Sequence, residues 1–160
     1  DGEESFPFDW VPSRALYGSR RYANRYREAM LRPGQPAPIR ALLLLDMVGG
    51  KAMNIDDETS STPGLRRLLK LAVASCGHRG KFFGESGPVL DDHRPFLALG
   101  IPAIDLIDLY GNRTWHTPED TLENLSGGSL QADGEVEWTM LPAVEKGYLP
   151  QPTNGLSLPR

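Results

Sequence analysis

The sequence predicts an α/β fold, and three observations carry that expectation. Two runs, residues 39–47 (IRALLLLDM) and 101–109 (IPAIDLIDL), are almost wholly apolar, as strands buried on both faces of a parallel sheet are. Segments of helical periodicity stand before, between and after them, and helices alternating with buried strands argue a layered arrangement. The chain has 160 residues, 39% apolar and 24% charged, which suits one globular domain with a core of ordinary size.

Residues 5–13 (SFPFDWVPS) mix aromatics with two prolines and read as an ordered loop. A helix follows over residues 13–31, with Ser13 as its cap and Pro33-Gly34 as its stop. Ala15, Tyr22, Tyr26 and Ala29 recur at helical spacing, flanked by Ala23 and Met30, and are expected to face the core. Arg14, Arg20, Arg21, Arg25, Arg27 and Arg32 take much of the remaining surface, either as a solvated face or as a stripe able to hold an anion. After the turn at 35–38 comes the first apolar strand, closed by Val48 and Gly49-Gly50. The polar stretch 51–61 reads as loop. Thr62-Pro63 looks like a cap with proline in the first turn of a second helix. Leu65, Leu68, Leu69, Ala72 and Cys76 form its buried stripe and Gly77 ends it.

Residues 80–90 hold three glycines and a proline and read as an irregular approach to the turn at Asp91-Asp92-His93. A short helix over 93–99 stops at Gly100, the second apolar strand follows, and 111–121 is loop. A last helix spans 126–146, weakened by Gly127, Gly128, Gly134 and Pro142. Residues 1–150 are expected to form the domain, with 151–160 a loose tail. Two strands are too few for a self-sufficient sheet under three helices. The sheet is therefore expected to be completed by a strand or another piece of protein missing from this chain.

Composition excludes several classes. A net charge of -4 gives no support for nucleic-acid binding, which usually wants a basic surface. The single Cys76 rules out an internal disulfide and reads as a small buried hydrophobe. The longest apolar run, residues 41–45, is far too short to span a membrane. The chain opens on Asp1 without a methionine, as a trimmed product would, and leaves the compartment open.

The polar residues at strand ends and in loops suggest chemistry. Asp46 terminates a run of four leucines, and ligands bind at the carboxyl ends of strands in α/β sheets. Capping of the next turn through the Gly49 N–H is the structural alternative. In Asp91-Asp92-His93 one aspartate can cap the short helix, while its neighbour fits shared hydrogen bonding in a polar site. His93 either orients a carboxylate or holds the turn. His116, between Trp115 and Thr117-Pro118, is equally a zinc ligand beside an apolar pocket wall or part of a plain turn. Asp120 or Glu119 is placed to hold its second nitrogen. Glu3-Glu4 at a strand end or turn can reach one site together, one binding metal and the other moving a proton, although adjacent acids are usually just solvated. His78 looks like a solvated residue past a helix end. No serine sits in a G-x-S-x-G elbow, so a Ser-His-Asp mechanism is not credible. Asn112-Arg113-Thr114 matches a glycosylation pattern that nothing else supports.

Six motifs in order carry a family resemblance. Asp1-Gly2-Glu3-Glu4, Leu16-Tyr17-Gly18-Ser19-Arg20, Leu45-Asp46-Met47-Val48-Gly49, Asp91-Asp92-His93-Arg94-Pro95-Phe96, Gly100-Ile101-Pro102-Ala103 and Trp115-His116-Thr117 with Asp120-Thr121 resemble the zinc aminopeptidase family. Within that zinc-dependent exopeptidase superfamily they are most similar to the glutaminyl-peptide cyclotransferase branch. The resemblance implies a three-layer α/β/α sandwich, phosphorylase/hydrolase-like, with a mostly parallel mixed sheet that is incomplete in this chain. Asp46 and the His116 loop would meet at one edge of it. It covers nearly the whole chain but corresponds to the carboxyl-terminal part of such an enzyme, so one upstream metal ligand is expected on a missing segment or on a separate chain.

Residue by residue, Glu3 resembles the general acid/base and Glu4 and His116 zinc ligands. Asp46 matches a ligand of a second metal in the two-metal peptidases and a member of the hydrogen-bond network in the cyclotransferases. Asp91 matches the first aspartate of the cyclotransferase triplet, and Trp115 that branch's pocket tryptophan. Trp10 is a looser match to a second pocket aromatic. Asp92, His93 and Asp120 would support these groups, though Asp120-Thr121 reads more like the peptidases.

The activity implied is cyclisation of an amino-terminal glutamine with release of ammonia, on one zinc ion that polarises the side-chain amide. Glu3 would take the amine proton and return one to ammonia. The alternative is an aminopeptidase with two zinc ions about 3.5–4 Å apart. A non-catalytic peptide- or protein-binding relative is a third reading. The substrate would be a peptide with a free amino terminus, and the resemblance suggests an extracellular or periplasmic setting.

Overall fold

The computed structural model describes residues 15–35 and 38–147. Glu3, Glu4, Trp10 and Ser13, like the expected loose tail at 151–160, lie outside the described residues. The elements run α1 (Tyr17–Met30), β1 (Leu42–Asp46), β2 (Ile55–Glu58), α2 (Pro63–Cys76), β3 (Phe82–Gly87), α3 (Arg94–Leu97), β4 (Ala103–Ile107) and α4 (Gly127–Glu145).

Both apolar runs form strands, and they pair. β1 and β4 are parallel neighbours, with Leu42 opposite Ala103 and Asp46 opposite Ile107. β2 and β3 form a second parallel ladder, Ile55 opposite Phe82 and Glu58 opposite Gly87, with a register shift between. β2 packs beside β4, joined to it by side chains. Thr62 donates its N–H to the Ala103 carbonyl at 2.8 Å and accepts the Ala103 N–H on its hydroxyl at 3.0 Å. Ser61 Oγ accepts the Asp105 N–H at 3.0 Å. An antiparallel bridge between Gly50 and Leu125 completes a mostly parallel mixed arrangement.

The alternation of side chains along β4 builds two layers around the sheet. Ile104 and Leu106 face a core with Leu65, Leu69 and Val73 of α2 and Val136 and Met140 of α4. Ala103 faces the opposite side, where Phe96 and Ile101 meet Tyr26 of α1 and Leu42 of β1. The expected α/β/α sandwich is therefore present.

Two strands were not expected. β2 lies in the stretch 51–61 read as loop, and β3 in the glycine-rich stretch 80–90 read as irregular. β2 has the sequence IDDE, yet Ile55, Asp56 and Glu58 are all buried. A polar strand is tolerated inside because buried polar groups find partners. Asp56 accepts the N–H groups of Glu85, Leu109 and Tyr110 at 3.1, 2.9 and 2.9 Å.

Helix ends follow local chemistry with some departures. Pro63 opens α2 and Gly77, at φ 78°, closes it in the left-handed conformation that glycine adopts without penalty. Thr62 makes no side-chain cap, because its hydroxyl is engaged by β4. α1 begins at Tyr17 behind a left-handed Leu16 at φ 59°, which holds the cap position three residues after the expected Ser13. Ala23 is its buried residue, whereas Tyr22, expected in the core, is 58% exposed and touches the Phe96 ring from the rim. Cys76 is half-buried rather than buried, its thiol 3.3 Å from Thr139 Oγ1. His78 is not simply solvated: its Nε2 lies 2.7 Å from the Glu135 carboxylate of α4.

Candidate functional site

At the carboxyl ends of β1 and β4 lies a cleft of about 390 Å³. Asp46, Met47, Asp91, Trp115, His116 and Asp120 line it, with Val89, Leu90, Ile107 and Leu109 as apolar walls. The aspartate ending β1, the turn before α3 and the loop after β4 thus meet in one place. This is the position where open α/β sheets bind ligands.

Asp46 and Asp91 are in side-chain hydrogen-bond contact. Burial pushes the Asp91 carboxyl up to about 7, helped by the neighbouring Asp46 and Asp92 charges and opposed by the Asp92 N–H, which it accepts at 2.6 Å. Two carboxyl groups in contact cannot both ionise cheaply, so Asp91 keeps its proton up to near neutral pH. The Gly49 N–H points to Met53 Sδ at 3.3 Å and not to Asp46. The capping role considered for Asp46 is therefore not the arrangement found.

Trp115 and His116 are exposed, with ring centroids 4.4 Å apart and planes inclined by 36°. The loop is held by Asn112, whose side-chain oxygen accepts the N–H groups of Thr114 and Trp115 at 2.9 and 3.2 Å. His116 has φ 55° and Met47 φ 54°. Left-handed non-glycine residues cost about 1–3 kcal/mol each and tend to gather at functional sites. Here one stands on each side of the cleft.

A family profile described as Peptidase family M28 matches residues 1–141. The chain belongs to this family. Among curated relatives, glutaminyl-peptide cyclotransferase of Bos taurus is 34% identical over 143 residues, covering 78% of this chain and 39% of that protein. Among solved structures, the glutaminyl cyclase of an Acidobacteriales bacterium superposes with a TM-score of 0.81 at 38% identity, over 91% of this chain and 51% of that one. The glutaminyl cyclase of Fimbriiglobus ruber gives 0.76 at 29% identity, over 88% and 49%. The M28 chain described here therefore spans about two fifths of the length of the curated relatives it matches and about half that of the solved ones. The match extends over its amino-terminal as well as its carboxyl-terminal part.

Of the residues singled out in this M28 sequence, Asp46, Asp91, Trp115, His116 and Asp120 share the cleft. Asp92 and His93 do not line it. Asp92 stands half-buried on the same turn, and His93 is turned inward and fully buried. Among the described residues no group of three His, Cys, Asp or Glu side chains could hold a metal ion. The described residues thus offer an imidazole and carboxylates to the cleft without making up a metal site by themselves.

Sequence reasoning missed five buried acids: Asp56, Glu58, Asp105, Asp108 and, on α4, Asp133. For Asp105 and Asp108 a signal existed, since Asp105 interrupts the apolar run 101–109 and Asp108 stands near its end, as Asp46 ends its own. Asp105 is pushed up to about 9 by burial and by the charges of Asp91, Asp46, Glu58 and Asp92. Burial and Asp56 also raise Asp108, against the Asn54 N–H. Asp56 and Glu58 gave no signal, because their strand was not recognised.

Proposed function

We propose that this M28 chain contributes to a zinc-dependent enzyme acting on peptide amino termini, with glutaminyl-peptide cyclotransferase-like activity. The observation that carries the reading is the hydrogen-bonded Asp46–Asp91 pair facing Trp115 and His116 across one cleft. The cyclotransferases among the relatives support it. In this reading His116 and Glu4 hold one zinc ion, and Glu3 is the general acid/base. Trp115 and Trp10 wall the pocket for the amino-terminal side chain. Asp46 and Asp91 share a proton beside the reacting amide and hold the proton-transferring group in place, while Asp92 and Asp120 support the loops that bear them. The substrate is a peptide with a free amino terminus, and the setting is extracellular or periplasmic.

The peptidase reading rests on the family's description as a peptidase. In it Asp46 would hold a second zinc ion and the product would be a free amino acid.

The test is ammonia release from a peptide with amino-terminal glutamine, with amino-acid release from an unblocked peptide measured alongside. Asp91→Asn is expected to lower kcat about 10²–10⁴-fold, the usual contribution of a positioned proton-transferring network. Amino-acid release with two tightly held zinc ions per chain would reverse the order of the two readings. Neither product from a metal-loaded protein would leave the non-catalytic binding relative.

A further inference from the structure

Behind the cleft wall, three buried groups have no role in the chemistry above. His93 is 0% exposed, Asp105 1% and Glu58 2%. Nδ1 of His93 lies 3.4 Å from Asp105 Oδ2, and Nε2 lies 3.7 Å from Glu58 Oε2. Neither ring nitrogen and neither Asp105 oxygen makes a hydrogen bond among the described residues. Polar atoms buried in this way are costly unless they serve one another. We propose that the three form a buried proton chain, in which the Asp105 carboxylic acid turns its hydrogen towards His93 Nδ1 and the Nε2–H is turned towards the Glu58 carboxylate as an electrostatic contact. This makes His93 the positioning residue for Asp91.

The proton placement follows from donor counting. Glu58 accepts the N–H groups of Ser60, Ser61 and Val89 and the Ser61 hydroxyl, at 2.6–2.9 Å. A carboxylate with four donors is the ionised form with its acceptor sites filled, and its charge repels a lone pair, so the ring nitrogen facing it carries hydrogen. A neutral imidazole has one N–H, which leaves Nδ1 an acceptor. Among the described residues the group facing Nδ1 is Asp105, and an ionised carboxylate there would set lone pair against lone pair. An imidazolium between two carboxylates is the competing arrangement. It would add another negative charge beside Asp46, Asp91 and Asp92, with Arg94 the other cation near the ring. Burial works against it by favouring the neutral imidazole.

The proton chain ends at the turn that carries Asp91. The His93 carbonyl accepts the Phe96 and Leu97 N–H groups, and Arg94 donates to the Asp91 carbonyl. An anchored ring therefore fixes both the start of α3 and the backbone of Asp91. The positioning role rests on the function proposed for Asp91, whereas the proton arrangement does not.

Long-range ¹⁵N–¹H NMR of the full 160-residue chain separates the two. Its three imidazoles are assigned by His78→Gln and His116→Gln, which leave His93. A neutral Nε2–H tautomer from about pH 5 to pH 8, on either side of the ordinary histidine pKa, is expected. A doubly protonated ring or an Nδ1–H tautomer overturns the proton chain. For positioning, Asp105→Leu should lower kcat about 10–100-fold at unchanged KM, as loss of an orienting partner does, and Asp105→Asn, whose amide still donates, should restore most of it. Equal losses in both variants would overturn the positioning role. An inactive wild-type protein would remove the function proposed for Asp91, and with it the positioning role, while the tautomer still decides the chain.

Discussion

Glu58→Ala is expected to cost roughly 3–5 kcal/mol of folding stability, because each buried donor left unsatisfied costs about 1–3 kcal/mol. The carboxylate ties the end of β2 to the start of α2 through Ser60 and Ser61, and to the cleft wall through Val89. Its removal strands three N–H groups at once, those of Ser61 and Val89 buried and that of Ser60 half-buried. Glu58→Gln should cost less, since one oxygen still accepts while its NH₂ faces donors. Burial raises the Glu58 carboxyl, but hydrogen bonds from Ser61, Val89 and Ser60 outweigh this and hold it below its ordinary value of 4.5. A depressed carboxylate contributes stability that is present above its unfolded value and lost as pH falls through the folded one. The penalty of Glu58→Ala, read from urea midpoints, should therefore shrink on acidification below about pH 4. A penalty independent of pH would mean that the carboxylate charge is not what the donors recognise.

Asp105→Asn is expected to have the opposite sign. The folded carboxyl ionises at about 9 and its ordinary value is 3.8. Between those values the folded chain keeps a proton that the unfolded chain has released, so stability falls as pH rises. The contribution is fully present below the unfolded value and is lost progressively towards the folded one. Asparagine presents similar polar atoms without titrating. The variant should match the wild type near pH 4 and exceed it by about 2–4 kcal/mol at pH 7, because each pH step of one between the two ionisation points is worth up to about 1.4 kcal/mol. Urea unfolding at acid, neutral and mildly alkaline pH would show the gap opening. Parallel curves would mean that Asp105 is ionised in the folded chain.

These two acids also mark what could be read from the sequence. β1 and β4 were legible because an almost unbroken apolar run has few other uses, and α2 because Thr62-Pro63 and Gly77 punctuate a clear stripe. The cleft was legible to the extent that Asp46 closes a leucine run and Asp91-Asp92 stands in a turn. β2 was not legible, since a strand reading IDDE looks solvated until its donors are known. Beside the local Ser60 and Ser61, those donors come from Glu85, Val89, Leu109 and Tyr110, which are distant in sequence. The inward turn of His93 was hidden for the same reason. Its partner Glu58 lies on the unrecognised strand, and Asp105 was read only as part of an apolar run.

The order in which strands pair has a consequence for how the chain must fold. β1 finds β4 only after β2, α2, β3 and α3 have been placed between them, whereas β2 and β3 are separated by α2 and a short connection at each of its ends. Closing the larger loop must be compensated by contacts that form only once it is closed, which slows folding in chains rich in non-local pairing. The β2–α2–β3 unit is expected to order first, and the β1–β4 ladder last. The wall that carries Asp46 is then the last to form in stopped-flow refolding, and the cleft exists only when the slowest step is complete.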